Sequence, residues 1–308
     1  MSSTVSADRR ERIAALGYDY AAQPREAVSS CNLCGSTRFV IIAHRDRYGF
    51  RVETHACERC GLVFLNPRLT AAAYGRFYEA VYRPLVSAFH GRLIDARTIQ
   101  DEQRVYAAER IEFLRSFVSR DLKTLLDIGG STGVVASRVA GEFGLTATVI
   151  DPAPLEVAEA RGLGLDTVTG LVEQHDFRGR TFDLVIICQT IDHLLDVGGT
   201  LARVRQLLTP HGLLFVDIVE FRAAYLRNWS VEEAIKIDHP YYLTEETMTA
   251  YLRRAGFEVV RSDYAADHLH IGHVCRPASP EAGALPDPSG VDELLREVRF
   301  VQNAPRAL

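Results

Sequence analysis

"TLLDIGGSTGVVA", residues 124–136, decides the fold. A short apolar run ends in Asp127, and Gly129, Gly130 and Gly133 fall within the next six positions. The run reads as a buried strand, and the glycines as a turn at which something lies close to bare backbone. Strands and helices alternate from there. "VVASRVAGEF" is helical, "ATVID" is a strand ending at Asp151, and "APLEVAEARG" is helical again. "DTVTG", "FDLVIICQT", "GLLFVDIV", "FEVVRSDY" and "LHIGHVCRP" supply further strands, with "GGTLARVRQLL" and "TEETMTAYLRRAG" as helices between them. Unbroken apolar runs such as "FDLVIIC" suit strands buried on both faces of a parallel sheet. Seven strands with intervening helices predict an α/β fold built on an open, doubly wound sheet.

The 308-residue chain is 47% hydrophobic and 24% charged, an ordinary globular balance. It lacks an apolar run of about eighteen residues, so no membrane span is expected. The N-terminal "MSSTVSADRRERIAALG" has no apolar core of a secretory signal, and a cytoplasmic location is the expectation. A net charge of −5 argues against a nucleic-acid partner. The composition divides the chain into an N-terminal tail and helix (1–25), a cysteine-bearing module (26–70) and a helical linker or cap (71–120). The alternating α/β unit (121–277) follows, then a linker with a terminal helix (278–308). The sequence leaves the oligomeric state open.

Four of six cysteines stand in two knuckles, Cys31-x-x-Cys34-Gly35 and Cys57-x-x-Cys60-Gly61, separated by twenty-two residues. In a chain expected to be cytoplasmic, this spacing reads as metal ligation before disulfides. Four thiolates from Cys31, Cys34, Cys57 and Cys60 suit a structural, tetrahedral Zn²⁺ with no open position for catalysis.

Three ligands compete for the glycine loop, which sits where open α/β sheets bind ligands. A dinucleotide calls for G-x-G-x-x-G, which Gly129, Gly130 and Gly133 do not match, and Asp127 repels a pyrophosphate. "GGSTG" formally matches a nucleophile elbow with Ser131, but this strand opens the sheet, whereas an elbow follows several strands. S-adenosylmethionine fits better. Asp127 attracts its cationic end, the glycines admit its methionine moiety, and Asp151 can accept hydrogen bonds from both ribose hydroxyls.

Over about residues 120–276 the sequence resembles the class I S-adenosylmethionine-dependent methyltransferases. "LLDIGGSTG" stands for the family's D-x-G-x-G-x-G, with Ser131 in place of the middle glycine. "TVID" supplies the ribose acid, and "RVRQLLTPHGLLFVDIV" resembles the family's "L-K-P-G-G" strand entry, with His211 in place of one glycine. The resemblance implies a Rossmann-like sheet. It also implies a cofactor site of Asp127, Gly129, Gly130, Ser131, Gly133 and Asp151, with Gln189 at its edge.

The cysteine knuckles and "CGLVFLNPRLTAAAYGRFYEAVY" are similar to the N-terminus of the sugar C-methyltransferase-like branch. There a zinc-ribbon-like module precedes a helical cap, and this places Tyr78 and Tyr82 toward the cleft. "IKIDHPYYLT" is similar to that branch's "Y-x-E-H-x-x-Y". His239 falls on the basic histidine, Asp238 replaces the glutamate, Tyr242 is the later tyrosine and Lys236 replaces the first one. His193, in "QTIDH", matches a histidine after the fourth strand.

The implied activity is methyl transfer to a small molecule, sugar-like or a natural-product intermediate, at carbon or oxygen, with His239 as base. Two other readings remain open at this point. One is an RNA methyltransferase using the arginines of the module, the other a non-catalytic protein that binds S-adenosylmethionine.

Overall fold

A computed structural model describes residues 2–303, with side chains described from residue 7 onward. The expected seven strands form one sheet. Numbered within it, they are β1 (Thr124–Ile128), β2 (Thr146–Asp151), β3 (Asp166–Thr169), β4 (Phe182–Cys188), β5 (Leu208–Val219), β6 (Phe257–Tyr264) and β7 (His270–Pro277). Their order is β6-β7-β5-β4-β1-β2-β3. Strands β3, β2, β1, β4 and β5 pair in parallel, and β7 runs antiparallel to both β5 and β6. The order reverses between β1 and β4, so the loops leaving those two strands meet at the crevice where such sheets hold ligands.

Local chemistry explains where these elements start and stop. The helix Val134–Phe143 begins after Gly133 and ends at Gly144, both left-handed, with φ of +75° and +70°. Thr244 caps Glu245–Arg254 by accepting from the Thr247 N–H, and the Thr247 hydroxyl in turn accepts from the Thr244 N–H. Strand β5 begins at Leu208, ahead of its apolar run, with a break in register between Leu208 and Leu213 around Pro210. The segment read as helical over 71–120 is interrupted at residues 91–98, and its last helix runs Ile99–Leu114. The side chain of Asp95 accepts from the Arg97 and Thr98 N–H groups, and this local turn holds the preceding residues off the helical path.

One sheet face packs Leu125, Leu184 and Ile186 against Ala107, Ile111 and Leu114 of that helix and Val135 and Val139 of the next. A buried charge pair lies on this face. Arg110 donates through Nε to Asp217 of β5 at 2.8 Å, and its guanidinium stacks on Tyr106 at 3.4 Å from the ring centroid. Tyr106 also hydrogen-bonds Asp217, whose other oxygen accepts from the Gln189 N–H at 2.8 Å. Arg110→Met is expected to strand the Asp217 charge and cost about 3–5 kcal/mol in urea unfolding. It should also loosen Gln189, which is held at a left-handed φ of +49°.

The opposite face packs Leu126, Val185 and Val216 against the helices Val197–Leu207 and Glu245–Arg254 and against Cys31, Cys57, Cys60 and Phe64. The knuckles grow out of a small antiparallel sheet of Phe39–Arg45, Arg51–Cys57 and Val63–Leu65. A fourth strand, Tyr241–Tyr242, completes it, with Tyr241 opposite Phe64 and Tyr242 opposite Val63. That strand comes from the loop after β5, 176 residues beyond Leu65. The helices Ala71–Ala80, Tyr82–His90, Phe221–Asn228 and Val231–Ala234 form a second core around Tyr74, Phe77, Leu85 and Tyr225. The terminal helix, Pro288–Asn303, docks there through Leu294, Val298 and Val301. No helix among the described residues is long and apolar enough to cross a membrane.

Candidate functional site

Two clusters sit on the loops that leave the carboxyl ends of the parallel strands. The first is the glycine loop. Asp127 is 1% exposed, neither carboxylate oxygen makes a close hydrogen bond among the described residues, and the Ala136 N–H at the start of the following helix is the group that favours its charge. Burial, reinforced by Asp151, raises its pKa to about 8. Such an orphaned buried acid calls for a cationic partner. A Cβ on Gly130 would stand 2.6 Å from Asp127 Oδ2, and one on Gly129 would stand 2.3 Å from the Thr190 side chain. Gly129 also has a φ of +70°, so the loop tolerates no side chain at these positions.

Ser131 takes a left-handed φ of +50° without glycine's freedom. Its N–H donates to Asp151 Oδ2 at 3.0 Å and its hydroxyl to Glu156. Glu156 in turn accepts from Arg83 of the cap helix Tyr82–His90, with Nε at 3.0 Å. Asp151 also caps the Ala153 N–H at 2.8 Å, and burial raises its pKa to about 6. Gly133, where a Cβ would meet Ala160 and Leu165 at 2.7 Å, sets the packing of the following helix. Gln189 is exposed at the rim.

The second cluster joins the two Asp-His pairs. Asp192-His193 sits in the short helical turn Ile191–His193 after β4, and Asp238-His239 in the loop after β5. His239 places Nδ1 2.8 Å from Asp192 Oδ2 and Nε2 3.2 Å from Asp238 Oδ2. Burial and nearby Lys236 work against its charge, but the two carboxylates outweigh them and its pKa is raised. Burial likewise works against ionised Asp192 and Asp238, and His239 overcomes it, holding both well below the usual carboxylate range.

His193 lies against His239 with ring centroids 4.1 Å apart and the rings tilted by 51°. Burial first and then His239 lower its pKa to about 4. Tyr78 fixes its proton. The Tyr78 hydroxyl donates to the Asp238 carbonyl at 2.6 Å and has no second proton to give. It therefore accepts from His193 Nδ1–H at 2.5 Å, leaving the Nε2 lone pair uncommitted. Tyr82 packs edge-on to Tyr78 at 5.3 Å and borders His193 at 6.5 Å. Tyr242 stacks on His239, but its hydroxyl is spent on the Lys236 main chain. It accepts from the N–H at 2.9 Å and donates to the carbonyl at 2.5 Å.

The cysteine module underpins both loops. Asp46 accepts from the Ile237 N–H at 3.1 Å, and Arg47 N–H donates to the Ile235 carbonyl at 2.9 Å. Asn32, inside the first knuckle, donates to Asp196 at 2.9 Å, just beyond His193. Arg68 reaches both the Leu195 carbonyl and the Tyr241 hydroxyl at 2.9 Å. In the knuckles, Gly35 and Gly61 turn with φ of +72° and +73°. The four sulfurs lie within 4.8 Å of one another, with the Cys31–Cys60 and Cys34–Cys57 pairs at 3.5 Å. A tetrahedral Zn²⁺ with Zn–S bonds of about 2.3 Å has sulfur edges of about 3.8 Å, so Cys31, Cys34, Cys57 and Cys60 fit that ion.

The histidines near the C-terminus do not gather. His268 lies in the turn before β7, His270 pairs with Asp267, and His273 is buried on Ser262. Sequence reasoning paired His239 with Asp238 but missed that Asp192, from the loop after β4, also holds His239. It also missed Asp46, Arg83 and Glu156 as supports. The duplicated Asp-His dipeptide was the one available signal.

Comparison with known proteins gives the following. A family model described as "Methyltransferase domain" matches residues 99–262, more than half of the chain. The ubiquinone biosynthesis O-methyltransferase of Azorhizobium caulinodans is 27% identical over 158 residues, covering 46% of this chain and 61% of the relative. That of Methylocella silvestris is 30% identical over 129 residues, covering 34% and 50%. The chain thus spans 50% to 61% of the length of these relatives. Among solved structures, that of a mitomycin 7-O-methyltransferase aligns with a TM-score of 0.51 at 20% identity, covering 67% of this chain and 60% of its own.

Proposed function

This chain belongs to the methyltransferase-domain family, and on that premise we propose that it transfers a methyl group from S-adenosylmethionine to a hydroxyl of a small molecule. The observation that carries the reading is Asp127, an orphaned buried carboxylate beneath a loop that excludes side chains at residues 129 and 130. Asp127, Gly129, Gly130, Ser131, Gly133 and Asp151 hold the cofactor, with Gln189 at its edge. When bound, S-adenosylmethionine supplies a sulfonium-activated methyl group.

The chain's own residues position the acceptor and take its proton. His239, the base that the family resemblance suggests, has both nitrogens on carboxylates and is held charged. His193 is neutral near pH 7, and Tyr78 fixes its proton on Nδ1. Its Nε2 is therefore the proton acceptor. The imidazolium of His239, oriented by Asp192 and Asp238, steadies the oxyanion that forms beside it. Tyr242 positions the Lys236–His239 loop. Cys31, Cys34, Cys57 and Cys60 hold a structural Zn²⁺ that keeps the loop in register, an arrangement suited to a reducing cytoplasm.

The printed names of the curated relatives support oxygen as the methylated atom. The cysteine module and the Asp238-His239 segment support a sugar-like or natural-product acceptor. The test is to incubate the protein with S-adenosylmethionine and a panel of hydroxylated small molecules, following S-adenosylhomocysteine and methylated product by mass spectrometry. Product that depends on both acceptor and His193 is the expected result. Binding of S-adenosylmethionine without turnover on any acceptor would overturn this reading in favour of a non-catalytic one.

A further inference from the structure

The cap touches both halves of the site through adjacent residues. Tyr82 opens the helix Tyr82–His90 and borders His193, whose Nδ1–H is taken by Tyr78 four residues earlier. Arg83, the next residue, meets the cofactor side instead. Its Nε and Nη2 both donate to Glu156 Oε1, at 3.0 and 2.5 Å, and the two side chains are only 20% and 15% exposed. Glu156 stands in the first turn of the helix Pro154–Gly162, just past Asp151. Its second oxygen accepts from the Ser131 hydroxyl, and the Ser131 N–H donates to Asp151 Oδ2 at 3.0 Å. A continuous path of polar contacts thus runs from the cap to the proposed ribose acid.

The loop is tied to the cap a second time. The Thr132 hydroxyl donates to Gln103 of the helix Ile99–Leu114 at 2.5 Å. Two consecutive loop hydroxyls are therefore held by the cap, Thr132 directly and Ser131 through Glu156. Ser87 pins the connection between the two cap helices, donating to the Arg83 carbonyl and accepting from the Ile94 N–H, each at 2.8 Å. Charge makes the Arg83 contact matter. Burial raises the Asp151 pKa, Glu156 adds to the rise, and Arg83 opposes it. A guanidinium that donates through two nitrogens fixes position as well as charge. The ribose acid therefore depends on where the cap lies, and by linkage the cap depends equally on what the loop holds.

We propose that Arg83 is a positioning residue that latches the cap to the cofactor loop through Glu156, so that binding of S-adenosylmethionine orders the cap and, through Tyr78, the proton-accepting His193 before the acceptor enters. This rests on the methyltransferase reading above and adds the order in which the site assembles, cofactor first and acceptor second. Tyr78, Tyr82 and Arg83 lie within six residues of one another, so one short stretch of the cap carries the signal between the two clusters.

The full-length protein, Arg83→Gln, Glu156→Gln and the double variant are titrated with S-adenosylmethionine by calorimetry. Backbone hydrogen exchange over residues 71–90 is followed by mass spectrometry with and without that ligand at saturation. Arg83→Gln is expected to weaken binding about tenfold, and the double variant no further than Arg83→Gln alone, because both substitutions break one contact. In the parent the ligand should slow exchange across 71–90. In Arg83→Gln and in Glu156→Gln it should not, although the loop is filled. The two substitutions lie on separate helices, so misfolding of the cap in one leaves the other as the test. Unchanged affinity, additive losses, or equal protection of the cap in parent and variants overturns the latch alone. A parent protein that binds no S-adenosylmethionine overturns the methyltransferase reading and the latch with it.

Discussion

Cys57→Ser is expected to abolish methyl transfer although residue 57 lies far along the chain from either histidine. Serine cannot replace a thiolate in a four-sulfur site, and metal binding of this kind contributes about 10–16 kcal/mol in zinc-finger peptides. Without the metal the two knuckles lose their mutual restraint. The strand Val63–Leu65 pairs with Tyr241–Tyr242, and Asn32 holds Asp196, so both Asp-His loops lose a support. Among the described residues the glycine loop of β1 has no such hydrogen-bonded or strand tie to the knuckles. Turnover should therefore fall by at least about 100-fold while S-adenosylmethionine affinity changes far less. Metal analysis is expected to find one zinc per parent chain and almost none in the variant. A parent protein purified active without metal, or a fully active Cys57→Ser variant, would contradict the role given to the module.

Replacing His193 with alanine is expected to lower kcat by about 10²–10⁴-fold, the usual contribution of a positioned base, with little change in cofactor affinity. The pH profile separates the two histidines. His193 must be neutral to accept a proton, and its pKa is lowered to about 4, so kcat/KM should rise as pH climbs through that region. His239 must stay charged, and its pKa is raised, so activity should fall as pH passes above the usual histidine range. The profile is a bell. Were His239 the base, activity would be absent until pH exceeded its raised pKa and would then hold a plateau. Steady-state rates from pH 4.5 to 9 in the parent protein and in His239→Gln distinguish the two, since the alkaline limb belongs to His239.

The central sheet was legible from the sequence because its signals are local. Buried parallel strands appear as apolar runs, glycines punctuate the loop after β1, and Thr244 caps its helix within three residues. The cysteine knuckles were legible for the same reason. The cross-chain supports were not. Nothing local in "DHPYYLT" says that Tyr241 and Tyr242 will finish a sheet begun at residue 39, since two residues carry no periodicity. The proton arrangement was equally hidden. His239 matches a family base by sequence, yet Asp192 arrives from another loop and occupies its second nitrogen. Long-range contacts of this kind are set by topology. Sequence analysis could name His193, Asp238 and His239 but could not say which carboxylate would take which nitrogen.

The most direct measurement is calorimetric titration of the protein with S-adenosylmethionine, S-adenosylhomocysteine and NAD, repeated with Asp151→Ala. Micromolar binding of the first two, lost in the variant and accompanied by no heat from NAD, is the expected result. Failure of both sulfur ligands to bind, or binding of NAD in their place, would contradict the assignment of the glycine loop and the methyl-transfer chemistry built on it.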